Sequence, residues 1–144
     1  AYIDEEYIPL EGQKIEIYKK IAAIENLQDK YDVEEELEDR FGDMPSPVIN
    51  LMNIAYIKAL ASKFNIVEIT HKEREVMLRL SDSKAMDSRL LMIILNENQK
   101  KLRYDGRRLP MLKIFLPNTN PTTALAETKD ILEQLQKLQD EQGQ

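Results

Sequence analysis

The chain is 144 residues long and 42% hydrophobic, with 26 acidic and 20 basic side chains giving a net charge of −6; these values describe one domain large enough to bury a core, with room for an arm. Its longest uninterrupted apolar run, Leu90 to Leu95, is far too short to span a bilayer, and the acidic first ten residues do not form a signal peptide. With no cysteine and one histidine, a disulfide framework, a thiolate zinc site, a cysteine nucleophile and most hydrolase chemistries are excluded.

Residues 1–10 repeat a Tyr-Ile pair, Tyr2-Ile3 and Tyr7-Ile8, and Pro9 biases Ile8 to extended backbone. An extended arm or linker is expected there, leading from something upstream into a single domain over 11–144. From about Gln13 to Glu25, Ile15, Ile17, Tyr18, Ile21, Ala22 and Ile24 recur at three- and four-residue spacing, as on an amphipathic helix. Asn26 can cap a second helix, in which Val33, Leu37 and Phe41 form one stripe and the acids take the other faces. Gly42 then reads as a left-handed C-cap, with Ser46 as the next N-cap and Pro47 at the first position of a third helix reaching about Lys63. That helix is apolar around most of its circumference, so it is expected to be packed on several sides.

The period changes from about 3.6 to 2 after Phe64. Ile66, Val67 and Ile69, then Val76, Leu78 and Leu80 beyond the polar stretch His71 to Arg74, predict a β-hairpin with one buried face. Asp87 or Ser88 can cap a short helix over Arg89 to Glu97, with Leu90, Leu91, Ile94 and Leu95 buried. Leu102 and Tyr104 lead into an Asp105-Gly106 turn, and Leu112, Ile114 and Leu116 alternate with Lys113 and Phe115, which predicts a second strand pair. Asn118-Thr119-Asn120-Pro121 starts a last, long helix to about Glu141, striped by Ile131, Leu135 and Leu138 with Leu125 and Leu132 beside them. The fold class is therefore α+β: a helical N-terminal half, a small, mostly antiparallel sheet and a long C-terminal helix.

No catalytic constellation emerges. The four glycines, at 12, 42, 106 and 143, fit neither a phosphate-cradling loop nor a dinucleotide-binding turn. His71 stands in a polar turn and is given no role. The carboxylates from Glu34 to Asp39 lie on a helix surface, which does not separate their pKa values as acid–base catalysis needs. No catalytic residue, metal ligand or cofactor-binding residue is assigned.

Charge is unevenly distributed: residues 1–43 carry a net −9, residues 44–117 a net +6 and residues 118–144 a net −3. Two binding candidates follow. Glu36 and Asp39, three apart on the second helix, with Glu35 and Glu38 beside them, can meet an arginine-rich surface; equally, Glu36 can pair with Arg40 in its own helix. The stretch Lys100-Lys101-Leu102-Arg103-Tyr104-Asp105-Gly106-Arg107-Arg108 has five bases against one acid and a tyrosine able to stack on a base. The same residues also suit the solvent face of a hairpin, and a pI near 4.9 argues against general nucleic-acid affinity.

Tyr2-Ile3 with Tyr7-Ile8-Pro9, Ile17-Tyr18-Lys19-Lys20-Ile21-Ala22, Glu36-Leu37-x-Asp39-Arg40-Phe41-Gly42-x-x-Pro45 and the helix from Pro47-Val48 to Phe64-Asn65-Ile66 resemble the C-terminal, TRCF domain of bacterial transcription-repair coupling factors of the Mfd type. Asp4 stands where that family usually has proline, and Lys14 where it commonly has arginine.

The resemblance implies a non-catalytic domain of a larger, cytoplasmic DNA translocase, whose ATP and Mg are held by motor domains outside this chain. It implies that the parent releases RNA polymerase stalled at lesions and recruits nucleotide excision repair through UvrA. The domain is expected to dock on the parent's UvrB-like module and mask its UvrA-binding surface, with no membrane partner. By the same resemblance, Glu36 and Asp39 are the expected contacts, Arg40 orients Glu36, and Glu35 or Glu38 lies at the rim. The competing expectation is a DNA- or RNA-polymerase-contacting module that uses residues 100–108; a third is a domain that only stabilises its parent.

Overall fold

The computed structural model describes residues 3–142, so Tyr2 of the first Tyr-Ile pair and Gly143 lie outside the described residues. The elements run α1 (Glu11–Ala22), α2 (Leu27–Phe41), α3 (Ser46–Lys63), β1 (Ile66–Lys72), β2 (Glu75–Leu80), α4 (Ser88–Glu97), β3 (Leu102–Asp105), β4 (Met111–Phe115) and α5 (Pro121–Gln142). This is the α+β class expected from the change of period. The chain divides into two compact units, residues 1–59 and 60–144.

In the first unit the segment before α1 is not extended throughout. Asp4 folds it into a turn: its side chain accepts from the Glu6 N–H at 3.0 Å, and its carbonyl accepts from the Tyr7 and Ile8 N–H groups. Ile3 and Ile8 are thereby buried. The Ile3 N–H donates to the Tyr18 hydroxyl, and the Tyr7 hydroxyl donates to the Gly42 carbonyl at 2.9 Å. The apolar residues of this stretch thus gain more by burial than an extended arm would allow.

α1 starts and stops earlier than its apolar pattern suggests. Its last turn closes with an Ile24 N–H bond to the Ile21 carbonyl, because Asn26 takes extended backbone to cap α2. The Asn26 side chain accepts from the Asp29 N–H at 2.8 Å, and Asp29 in turn accepts from the Glu25 N–H at 3.0 Å. The first bond satisfies one of the donors that a helix start leaves open, and the second ties down the residue before the cap.

Gly42 has the positive φ expected of it, 82°, but its ψ of −164° lies outside the left-handed helical region. That combination is nearly exclusive to glycine. Ser46 is not the cap of α3: the Pro45 carbonyl accepts from the Val48 and Ile49 N–H groups, so Ser46 is already helical and Pro47 is one place further in. A proline there is tolerated because first-turn N–H groups have no intrahelical partner.

The second unit is built on an antiparallel sheet of order β1-β2-β4-β3. Alternation puts Val76, Leu78, Leu80, Leu102, Leu112 and Ile114 on a buried face. α4 packs on β3, α5 on β2, and the two helices on each other. Lys72 pairs with Glu75 across the hairpin, and the irregularity between Ile66 and Glu68 leaves Val67 unpaired and exposed. Asp87 is the residue that caps α4, accepting from the Arg89 N–H at 2.8 Å, and Asn120 caps α5 by accepting from Thr122. Ala124, Thr128, Ile131, Leu132 and Leu135 form the buried stripe of α5, whereas Leu138, expected in it, is only half-buried.

Two stability measurements follow. Gly42→Ala should destabilise the chain by about 1–3 kcal/mol, although no heavy atom lies within 4 Å of the added methyl. Gly12→Ala, equally unobstructed but in α1, should stabilise it by about 0.5–1 kcal/mol; urea midpoints that move together would contradict the conformational origin. Ile114→Ala, at a position with 0% exposure, should cost about 2–5 kcal/mol, and a smaller loss than that of Phe115→Ala would contradict the facing of β4.

Candidate functional site

α2 turns Leu37 inward, with Val33 and Phe41 half-buried on the same side, and leaves Tyr31, Asp32, Glu35, Glu38 and Asp39 exposed. Glu36 and Arg40 fall between these faces, one turn apart, on the side toward α1.

There they join a four-membered ion cluster. The Glu36 carboxylate receives the Lys20 ammonium on both oxygens, at 2.8 and 2.7 Å, and the Arg40 guanidinium at 2.7 Å. Glu16, four residues before Lys20, lies 3.4 Å from Lys20 and 3.3 Å from Arg40. Two anions and two cations thus alternate across the α1–α2 seam. The hydrogen bonds from Lys20, then from Arg40, hold the Glu36 carboxyl below its usual pKa, and the same contacts raise Lys20 and Arg40. The intrahelical Glu36–Arg40 pair was foreseeable from spacing. Lys20 and Glu16 were missed; their i, i+4 relation was the available signal, but nothing in it points to α2.

Glu36 and Asp39 therefore do not share one open face. Glu35, Glu38 and Asp39 are exposed and make no ion pair among the described residues, whereas Glu36 is engaged on both oxygens. Glu38, with Asp43, lies close enough to raise the Tyr7 hydroxyl pKa, second only to the effect of burial. Glu38 and Asp39 stand in the last turn of α2, where the helix dipole disfavours negative charge. The arrangement can receive cationic side chains.

The basic stretch 100–108 is partly committed internally. Lys101 bonds Glu127 at 2.8 Å and Asp130 at 3.3 Å on α5, which raises its pKa. Arg107 bonds Asp105, and these bonds, with Lys113 nearby, bring the Asp105 pKa down to about 2. Lys100, Arg103 and Arg108 remain exposed. His71 lies in β1, paired with Val76, and not in the turn expected for it, because the hairpin tightens to Glu73 and Arg74; its Nε2 bonds the Glu73 carbonyl at 2.9 Å. Among the described residues, no group of three His, Asp or Glu side chains is placed to hold a metal ion, and no helix is long and apolar enough to cross a membrane.

Residues 1–91 match the family model of the TRCF domain. The chain is 33% identical over 138 residues to a transcription-repair-coupling factor of Staphylococcus epidermidis strain RP62A, an alignment covering 96% of this chain and 11% of that protein. It is 41% identical over 81 residues to one of Staphylococcus aureus strain USA300, covering 56% of this chain and 7% of that protein. The chain thus spans about a tenth of the length of the relatives it matches. A crystal structure of the C-terminal domain of a transcription-repair coupling factor superposes with a TM-score of 0.83 at 25% identity, covering 98% of this chain and 89% of that one. Acidic α2, the Phe41-Gly42 stop and the sheet with its two helices are accordingly features of a member: the chain belongs to the TRCF domain family.

Proposed function

We propose that this chain is the non-catalytic regulatory domain of a transcription-repair coupling factor and that it acts by competitive masking. Residues 1–10 lead into residues 11–144 from the motor, with the Ile3 N–H and the Tyr7 hydroxyl bonded within the first unit. In the resting parent, the open face of α2 docks on the UvrB-like module and covers the arginine-rich surface that UvrA needs. ATP-driven translocation on DNA, performed by other parts of the parent, releases it beside a stalled RNA polymerase.

One observation carries the proposal: three exposed carboxylates, Glu35, Glu38 and Asp39, stand beside a seam whose own charges are already paired. Two of them lie where the helix dipole opposes them, so helix stability alone does not account for their position. Asp39 and Glu35 supply the contacts and Glu38 the rim. Glu36 and Arg40, joined at 2.7 Å, position the helix and close one edge of the interface. A polar, charge-paired interface is weakened by salt and is readily reversed, which a mask requires.

In the coupling factor that carries this domain, Glu35→Lys with Asp39→Lys should raise UvrA binding without ATP about tenfold or more, because like charges opposed across an interface cost several kcal/mol. Unchanged binding would contradict the mask. Glu36→Gln tests the seam. The folded carboxyl lies below its ordinary 4.5, so its ionised form stabilises the fold above pH 4.5, and the contribution fades as pH falls through the folded value. The natural chain should therefore exceed Glu36→Gln in urea midpoint at neutral pH and converge with it in acid; a constant difference would contradict this origin.

A further inference from the structure

The face of the sheet opposite its buried side carries a groove of about 850 Å³ within the second unit. Met77, Met111 and Leu109 are its apolar lining, and Arg107, Arg108 and Lys113 supply its cations. Strand register brings Met77 opposite Lys113 and Met111 opposite Asp105, so the groove follows β2, β4 and the loop after β3. Three bases face one acid. That acid, Asp105, is already engaged by Arg107 at 3.2 Å and Lys113 at 3.7 Å, whereas Arg108 makes no ion pair among the described residues. Leu109 is 45% exposed, an aliphatic side chain beside an uncommitted guanidinium.

Two kinds of anion fit a cationic groove, and the lining separates them. Single-stranded nucleic acid depends on aromatic faces for its bases, but no aromatic side chain lines this groove, and the nearby Tyr104 ring lies over Gly106, within 2.9 Å of where a Cβ would stand. A peptide with carboxylates and aliphatic side chains matches both parts: the carboxylates meet Arg108 and Lys113, and the aliphatic groups meet methionines, whose flexible thioethers adapt to varied shapes.

We propose that this groove binds an acidic peptide segment of a partner protein, with Arg108 and Lys113 taking its carboxylates and Leu109, Met77 and Met111 taking its aliphatic side chains. The site lies in residues 60–144 and does not depend on the masking role of α2.

Fluorescence anisotropy with the 144-residue chain tests it, the probe being a short fluorescein-labelled peptide of glutamates with two leucines. Arg108→Glu and Leu109→Ser alter exposed loop residues, so the fold should persist, which circular dichroism checks. Each substitution, and replacement of the probe's leucines by serine, should weaken binding by about fivefold or more, as expected for a lost charge-assisted bond or a lost aliphatic contact. No binding, equal affinity for the serine peptide, insensitivity to both substitutions, or tighter binding of a labelled oligothymidylate would overturn the proposal.

Discussion

The Glu36 carboxylate, held between Lys20 of α1 and Arg40 of α2, is the constraint on which the candidate site depends. It fixes which charges of a strongly acidic segment are internal and which are open. Without Lys20, Glu36 would be one more carboxylate in a run of similar ones. With it, one edge of α2 is neutralised and the adjoining face is left negative. The separation follows from geometry: Glu36 and Arg40 are one turn apart on the α1 side, while Glu35 and Asp39 are one turn apart on the face toward solvent. An exposed ion cluster contributes less to stability than to arrangement, and here it sets which carboxylates of the helix are left open to solvent.

The second unit separates its charges by another route. Period-two alternation sends Leu78, Leu112 and Ile114 inward and leaves Met77, Met111 and Lys113 on the other face. Some of the basic side chains are spent on architecture, Lys101 on α5 and Arg107 on Asp105. What remains is a small cationic surface with an aliphatic lining. Net charge by segment is therefore a poor guide to what a partner meets: paired charges cancel locally, and only the residue is available.

Much of the fold is legible in the chain because local chemistry and tertiary structure agree. Asn26, Asp87 and Asn120 cap the helices they precede, and both strand pairs follow from alternation and turn residues. The exceptions have local causes. Ser46 looks like a cap, but the Pro45 carbonyl takes that place. Gly42 signals a positive φ without specifying its ψ. The first residues look like an arm because nothing in the sequence reveals that Asp4 closes a turn or that Ile3 and Ile8 are buried. In the candidate site, the Glu36–Arg40 pair is readable from spacing within one helix. The Lys20 and Glu16 contacts are not, since they require knowing how α1 meets α2.

A double-mutant cycle on Lys20→Ala and Glu36→Ala, read by urea unfolding at neutral pH, tests most directly whether this seam is a real interaction that sorts the charges of α2. The expected result is non-additivity, with the double variant losing less stability than the two single variants together and the coupling shrinking as salt is added. Additive losses at low salt would contradict the account.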